Sequence, residues 1–320
     1  MTDDEGPIHH GNDKLFKVGF SDPVNTAAFL RKELAPAIAQ TIDWEKLQLI
    51  PGSFIDSQFR KSETDLLFSA PIQEADCFFY LLFEHQTQLD PWLQLRLLRY
   101  MVRIWEEFLK QNPATEKLPI VFPVVLAQNG VRWQVDTRFS SLLDIPSGAC
   151  PDIHSHIPEF EYRLLQLADM SYESIQGTAT GILILRAMKA GKIGELLHQA
   201  LWDDHLLAEI PQRIFEMVLR YILGHDIDKE AFNRKVLDIA SQETRSAAMT
   251  LAQQFRQEGQ QEGSLRSRQQ DVLEILNIRF GRVPVGLSEA LEAVHDDARL
   301  KQMLRTAVQC ADLEGFAQSL

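Results

Sequence analysis

Two apolar runs on either side of a short polar break constrain this chain more than anything else in it. Residues 66–72 read LLFSAPI and residues 78–83 read FFYLLF, with Gln73-Glu74-Ala75-Asp76 between them. Six consecutive apolar residues rich in aromatic rings favour a buried strand over a helix. They are far too few to span a bilayer. Two such strands joined by a short turn read as an antiparallel hairpin.

The turn also acts as a ruler. With its centre between Glu74 and Ala75, the numbers of paired positions sum to 149. Asp65 and Glu84 then stand directly opposite each other on one face. Strand alternation adds Gln86 to that face and turns His85 to the other. Two carboxylates repel unless a positive charge sits between them. A hard divalent cation such as Mg²⁺ suits a few carboxylates plus water. Such an ion can activate water and stabilise a charged phosphoryl transition state. The alternative is that Asp65 and Glu84 mark strand ends where the chain meets water.

The 320 residues leave room for about two domains. The net charge of -13 is not the usual footprint of a nucleic-acid binder, so any such binding needs a local basic patch or metal ions. Cys77, Cys150 and Cys310 match neither a zinc spacing nor a disulfide framework, and Cys77 reads as a small core residue. The opening MTDDEGPIHHGNDK is polar and acidic, unlike a signal or transit peptide, and residues 1–20 read as a flexible tail of a cytoplasmic protein.

Ser21-Asp22-Pro23 starts a helix through Phe29 and Leu34. Residues 47–55 suggest a first strand, bent at Pro51-Gly52, ahead of the hairpin. After Pro91-Trp92 the apolar residues Leu95, Leu98, Val102, Trp105 and Leu109 recur at helical spacing. Arg96, Arg99 and Arg103 share a face of that helix, readable as a weak stripe for DNA phosphates or as a solvated face with Arg103 paired to Glu107. LPIVFPVVLA at 118–127 is another buried strand, ended by Gln128-Asn129-Gly130. His154 and His156 lack a visible third metal ligand, and residues 161–170 return to an amphipathic pattern. From Thr178 the chain is nearly all helical. The repeat RQEGQQEG at 256–263 puts Gly259 and Gly263 on one helical face, fit for close approach of another helix or for a frayed joint.

Several stretches together resemble the recombination-promoting nuclease family, also labelled putative transposases, within the PD-(D/E)xK nuclease superfamily. They are NDKLFKVGFSDP, IDWEKLQLIPGSFID, ETDLLF, YLLFEHQ, LRLLRYMVRIWEEFL, PIVFPVVL, the EG repeat and LNIRFG. The resemblance covers nearly the whole chain. It implies an α/β, restriction-endonuclease-like αβββαβ core followed by a mostly helical C-terminal region, with the core at 21–175, a helical extension at 176–250 and a helical tail at 251–320. It implies that Asp65 and Glu84 hold Mg²⁺ or another divalent cation, with Gln86 standing where the superfamily places lysine. Asp13 and Asp169 match further family acids. The implied activity is Mg²⁺-dependent endonucleolytic hydrolysis of double-stranded DNA that promotes recombination or mobile-DNA transfer. The rivals are a catalytically silent DNA-binding relic, a DDE-type transposase and an interaction scaffold. The helical tail suggests homo-oligomers, and no membrane association is expected. The turn at 127–130 departs from the family's Tyr-His-Gly, which puts a polar role for it in doubt.

Overall fold

The computed structural model describes residues 7–51, 66–72, 75–84, 90–146, 151–318 and 320. The side chains of 7–10, 75, 76, 80–84, 151, 154 and 262 are outside that description. The chain divides into two compact units, Met1–Ala248 and Met249–Leu320.

The first unit opens with three helices, α1 (Pro7–Phe20), α2 (Pro23–Glu33) and α3 (Pro36–Ala39). Strands β1 (Gln48–Leu49), β2 (Leu66–Ile72) and β3 (Ala75–Glu84) follow, then α4 (Leu93–Gln111), β4 (Ile120–Ala127) and β5 (Arg163–Gln166). Helices α5 (Ala179–Ile193), α6 (Asp204–Glu209), α7 (Gln212–Leu223) and α8 (Lys229–Asp238) complete the run. The strands form one mixed sheet in the order β1-β2-β3-β4-β5. The pairs β1–β2 and β2–β3 are antiparallel, whereas β3–β4 and β4–β5 are parallel. A parallel pair needs a crossover, and α4 supplies it between β3 and β4.

Residues 7–20 are thus a helix where the sequence suggested a flexible tail. Leu15, Phe16 and Phe20 are buried on it, and Phe16 stacks on Phe20 with ring centroids 5.4 Å apart. The polar opening residues obscure this short apolar face. Helix α2 starts where the sequence places it, with Asp22 rather than Ser21 as the cap: Asp22 Oδ1 accepts the Val24 N–H at 2.9 Å, with Pro23 in the first turn.

The β2–β3 register corrects the ruler. Leu66 faces Leu81 and Ile72 faces Ala75, so paired numbers sum to 147 and the turn centre lies between Gln73 and Glu74. Ala75 and Asp76 belong to β3 rather than to the turn. Moving the centre by one residue moves each partner by two, so every position keeps its face. What changes is which residues stand directly opposite.

One face of the sheet packs on α4 through Leu67, Phe78, Val121 and Val125 against Leu93, Leu97, Met101 and Ile104. On the other face Phe79 stacks on Phe122 at 5.4 Å and lies 5.6 Å from the Trp44 ring. Close approach of the helices depends on glycine. A Cβ on Gly191 of α5 would lie 2.1 Å from the Tyr221 hydroxyl of α7.

The second unit holds most of α9 (Gln242–Phe280), with α10 (Val285–Glu292), α11 (Asp297–Gln309) and α12 (Leu313–Ala317). Val272, Leu276, Leu291, Leu300, Met303 and Phe316 form its core. The EG repeat is continuous helix, and a Cβ on Gly259 or Gly263 would meet nothing within 4 Å. The frayed-joint reading gives way to a continuous helix. No helix among the described residues is long and apolar enough to cross a membrane.

Candidate active site

The three parallel strands end together. Glu84, Ala127 and Gln166 are lateral neighbours at the carboxyl ends of β3, β4 and β5. Carboxyl ends of parallel strands are where open α/β sheets place their ligands. Of the predicted residues, Glu84 closes β3, and its side chain lies outside the described set; Asp65 and Gln86 lie outside the described residues altogether. Asp13 is half-buried on α1. Asp169 follows β5, where its carboxylate pairs with Arg132 at 3.3 Å and accepts from Gln166 Nε2 at 3.4 Å.

The turn after β4, whose polar role the sequence left in doubt, carries a buried polar assembly. Gln128 is 1% exposed and Asn129 is 2% exposed. Gln128 Nε2 donates to Asn12 Oδ1 at 3.0 Å and to the Met188 carbonyl at 2.6 Å. Tyr221 Oη donates to the same Asn12 oxygen at 2.6 Å, and burial raises the Tyr221 hydroxyl above its ordinary pKa, partly offset by Gln128. Asn129 Nδ2 donates to Gln166 Oε1 at 2.7 Å and to the Val131 carbonyl at 2.8 Å. Lys189, also buried, donates to the Leu167 carbonyl at 2.8 Å. These bonds tie α1, α5 and α7 to the ends of β4 and β5. Two acceptors stay without a hydrogen-bond donor among the described residues, Gln128 Oε1 and Asn129 Oδ1. A Gln-Asn-Gly triplet reads as a solvated turn, so the sequence alone gave no signal for this assembly.

Other candidates are answered separately. Arg96 pairs with Asp90 at 3.4 Å and Arg103 with Glu106 at 2.8 Å. Arg99 is exposed. Cys77 is fully buried and its thiol is pushed up to about 12 by burial, as suits a core residue rather than a nucleophile. No group of three His, Cys, Asp or Glu side chains gathers among the described residues.

Comparison with known proteins gives the kinship. Residues 9–209 match the family model "Putative transposase, YhgA-like". The chain is 28% identical over 114 residues to recombination-promoting nuclease RpnD of Escherichia coli O157:H7, covering 36% of this chain and 44% of that one. It is 26% identical over 258 residues to recombination-promoting nuclease RpnA of Escherichia coli K12, covering 79% and 86%. It is 24% identical over 272 residues to the inactive recombination-promoting nuclease-like protein RpnE of the same strain, covering 79% and 83%. No solved structure matches. With its model matched over more than half the length, the chain belongs to the family of YhgA-like putative transposases, among which stand the recombination-promoting nucleases.

Proposed function

We propose that the chain is a metal-dependent DNA endonuclease with a restriction-endonuclease-like core of the PD-(D/E)xK type, and that its site lies at the carboxyl edge of the parallel strands. The observation that carries this is the placement of Glu84 at the end of β3, abreast of Ala127 and Gln166. The kinship with proteins named as nucleases supports it. In this reading the ion's ligands are Asp65, the residue before β2, and Glu84 at the end of β3. Leu66 pairs with Leu81; were that pairing to run one residue further, position 65 would stand across from Leu82, two residues from Glu84 and on its face. In that arrangement the two acids would be diagonal neighbours, within reach of a shared ion.

The donor chemistry suits Mg²⁺. Two carboxylates are hard oxygen ligands of the kind such an ion prefers. When bound, such an ion supplies charge stabilisation to the phosphate and a lowered pKa to water. Gln86 hydrogen-bonds the attacking water or a phosphate oxygen. Hydrolysis joins the water oxygen to phosphorus and breaks the bond to the leaving sugar oxygen, which takes up a proton. Asp13 and Asp169 flank the edge as further acids, with Asp169 engaged by Arg132. Cleavage of this kind would promote recombination.

A second reading has a specific support: RpnE, matched over 79% of this chain, is named inactive. A silent DNA-binding protein of the same fold is therefore the rival. Plasmid nicking with Mg²⁺ and with EDTA separates the two. The parent protein should nick only with Mg²⁺. Asp65→Asn and Glu84→Gln should each lower the rate about 10³-fold, the worth of several kcal/mol of lost charge stabilisation. Equal nicking by Asp65→Asn and the parent would overturn the site.

A further inference from the structure

We propose that the outer stripe of α4 is a seam on which a second copy of this chain docks, with the two helices running antiparallel. Helix α4 carries two apolar faces. Leu93, Leu97, Met101 and Ile104 are buried against the sheet. Leu95, Leu98, Val102, Trp105 and Leu109 fall on a neighbouring face. There Val102 is 40% and Leu109 44% exposed, and the other three are half-buried. Their steps of three, four, three and four residues are the heptad spacing of a helix–helix seam. A helix that only covers a sheet needs one apolar stripe. The border of the second stripe is fixed in place: Trp105 packs against the sheet cluster, and its Nε1 donates to the Pro119 carbonyl at 2.9 Å. The seam belongs to the first unit, not to the helical tail to which the sequence pointed for self-association.

Charge names the occupant and its direction. Arg99 and Glu106 are both exposed and stand seven residues apart on the same flank of the seam. In an antiparallel pair with a two-fold axis near Val102, each flank meets the same flank of the other copy, reversed in direction. Arg99 then faces the partner's Glu106, and Glu106 faces the partner's Arg99. One surface thus carries both halves of two ion pairs. A parallel pair would set this flank against the opposite one, where the positions are Gln94, Met101 and Phe108 and offer no charge. The seam matches itself in one direction only. Glu106 also accepts from Arg103 at 2.8 Å, but that pair is solvent-exposed and contributes little. A carboxylate accepts from more than one donor, so both contacts are compatible. Helix α4 is already folded, so docking does not have to order it. One helix per copy is a small contact, which sets the dissociation constant in the micromolar range.

The test is analytical ultracentrifugation of the full chain over a range of concentration, with circular dichroism melting to confirm that each variant is folded. The parent should form dimers. Val102→Glu/Leu109→Glu, at two exposed positions, should weaken them about a hundredfold or more, because charges would enter the seam. Arg99→Glu and Glu106→Arg should each weaken self-association about tenfold, since two attractive pairs become repulsive. Mixed in equal amounts, these two single variants should pair with each other at about the parental affinity, because every contact again joins an arginine to a glutamate. Arg99 and Glu106 lie about 10 Å apart along one helix, so rescue by mixing reports contact between chains. A parent that stays monomeric up to millimolar concentration would overturn the seam. Dimers of parental strength in folded Val102→Glu/Leu109→Glu would do the same and would place self-association elsewhere, such as the helical tail. Weakened single variants without rescue on mixing would sink the antiparallel pairing. None of these readouts uses DNA, so the nuclease reading stands or falls separately.

Discussion

The two units solve burial differently. Among the described residues of the first unit, the buried polar side chains are Asn12, Asn25, Thr26, Gln94, Gln128, Asn129, Gln166 and Lys189; in the second there is Gln269 alone. The second unit is held by apolar packing around Leu276 and Phe316, with Gln269 Nε2 stapling α9 to the Glu292 and Val294 carbonyls at 2.9 and 3.0 Å. The first unit removes amides and an ammonium from water, which is unfavourable unless each finds a partner. It does so most densely where β4 and β5 end. A fold that needed only stability could fill that edge with aliphatic side chains. The contrast teaches that the edge is specified for position, whereas the C-terminal unit is specified for cohesion.

Three further measurements bear on that contrast. The largest effect should come from the C-terminal core. Leu276 is fully buried, and Leu276→Ala should cost about 3 kcal/mol in denaturant unfolding. Nicking by the remaining folded protein should be unaffected; a loss there would mean that the second unit takes part in the site. Next comes Gln128→Leu. It removes two hydrogen bonds from a buried network at a cost of about 2 kcal/mol, and it should lower nicking in the folded fraction as well. A stable, fully active Gln128→Leu protein would show that an apolar isostere serves equally well and would dissolve the contrast. The smallest effect concerns Glu33, whose carboxyl is raised above its ordinary 4.5 by burial, partly offset by Arg163. A carboxyl raised in the folded state binds its proton more tightly there than in the unfolded chain. Its contribution to stability is fully present below 4.5 and is lost as pH rises through the folded value. Glu33→Gln should therefore unfold at slightly higher denaturant than the parent at pH 7, with the difference vanishing in acid. A variant equally or less stable at pH 7 would remove that burial cost from the first unit's account.

The sequence revealed most where one period dominated. The segment marked as amphipathic is α4, and β4 covers all but the first two residues of its apolar run, but the helix stripe was misplaced: Val102 and Leu109 are exposed, whereas Leu97, Met101 and Ile104 form the buried side. It failed where two structures share one composition. Gln73-Glu74-Ala75-Asp76 reads as a four-residue turn, yet Ala75 and Asp76 already pair with Ile72 and Pro71. Strand β5 has four residues, too few for alternation to stand out from an amphipathic helix. The candidate site was legible as far as Glu84 at the end of a hairpin strand. Asn12, Gln128 and Gln166 were not, because nothing local distinguishes a buried amide from a solvated one. Their partners come from elsewhere in the chain, Gln128 meeting Asn12 across 116 positions.

Gln166 has one more consequence. Its side-chain Oε1 accepts the Trp133 N–H at 2.7 Å, and its Nε2 donates to the Trp133 carbonyl at 3.2 Å. One amide thereby satisfies both main-chain groups of a single residue, as a neighbouring strand would. It does so at β5, the outermost strand on that side of the sheet. Unpaired outer strands are templates on which other chains polymerise. Here the outermost strand is four residues long, and the segment beside it is already occupied by a side chain imitating a peptide bond. The sheet is terminated by chemistry as well as by length, which guards it against strand-by-strand growth at this border.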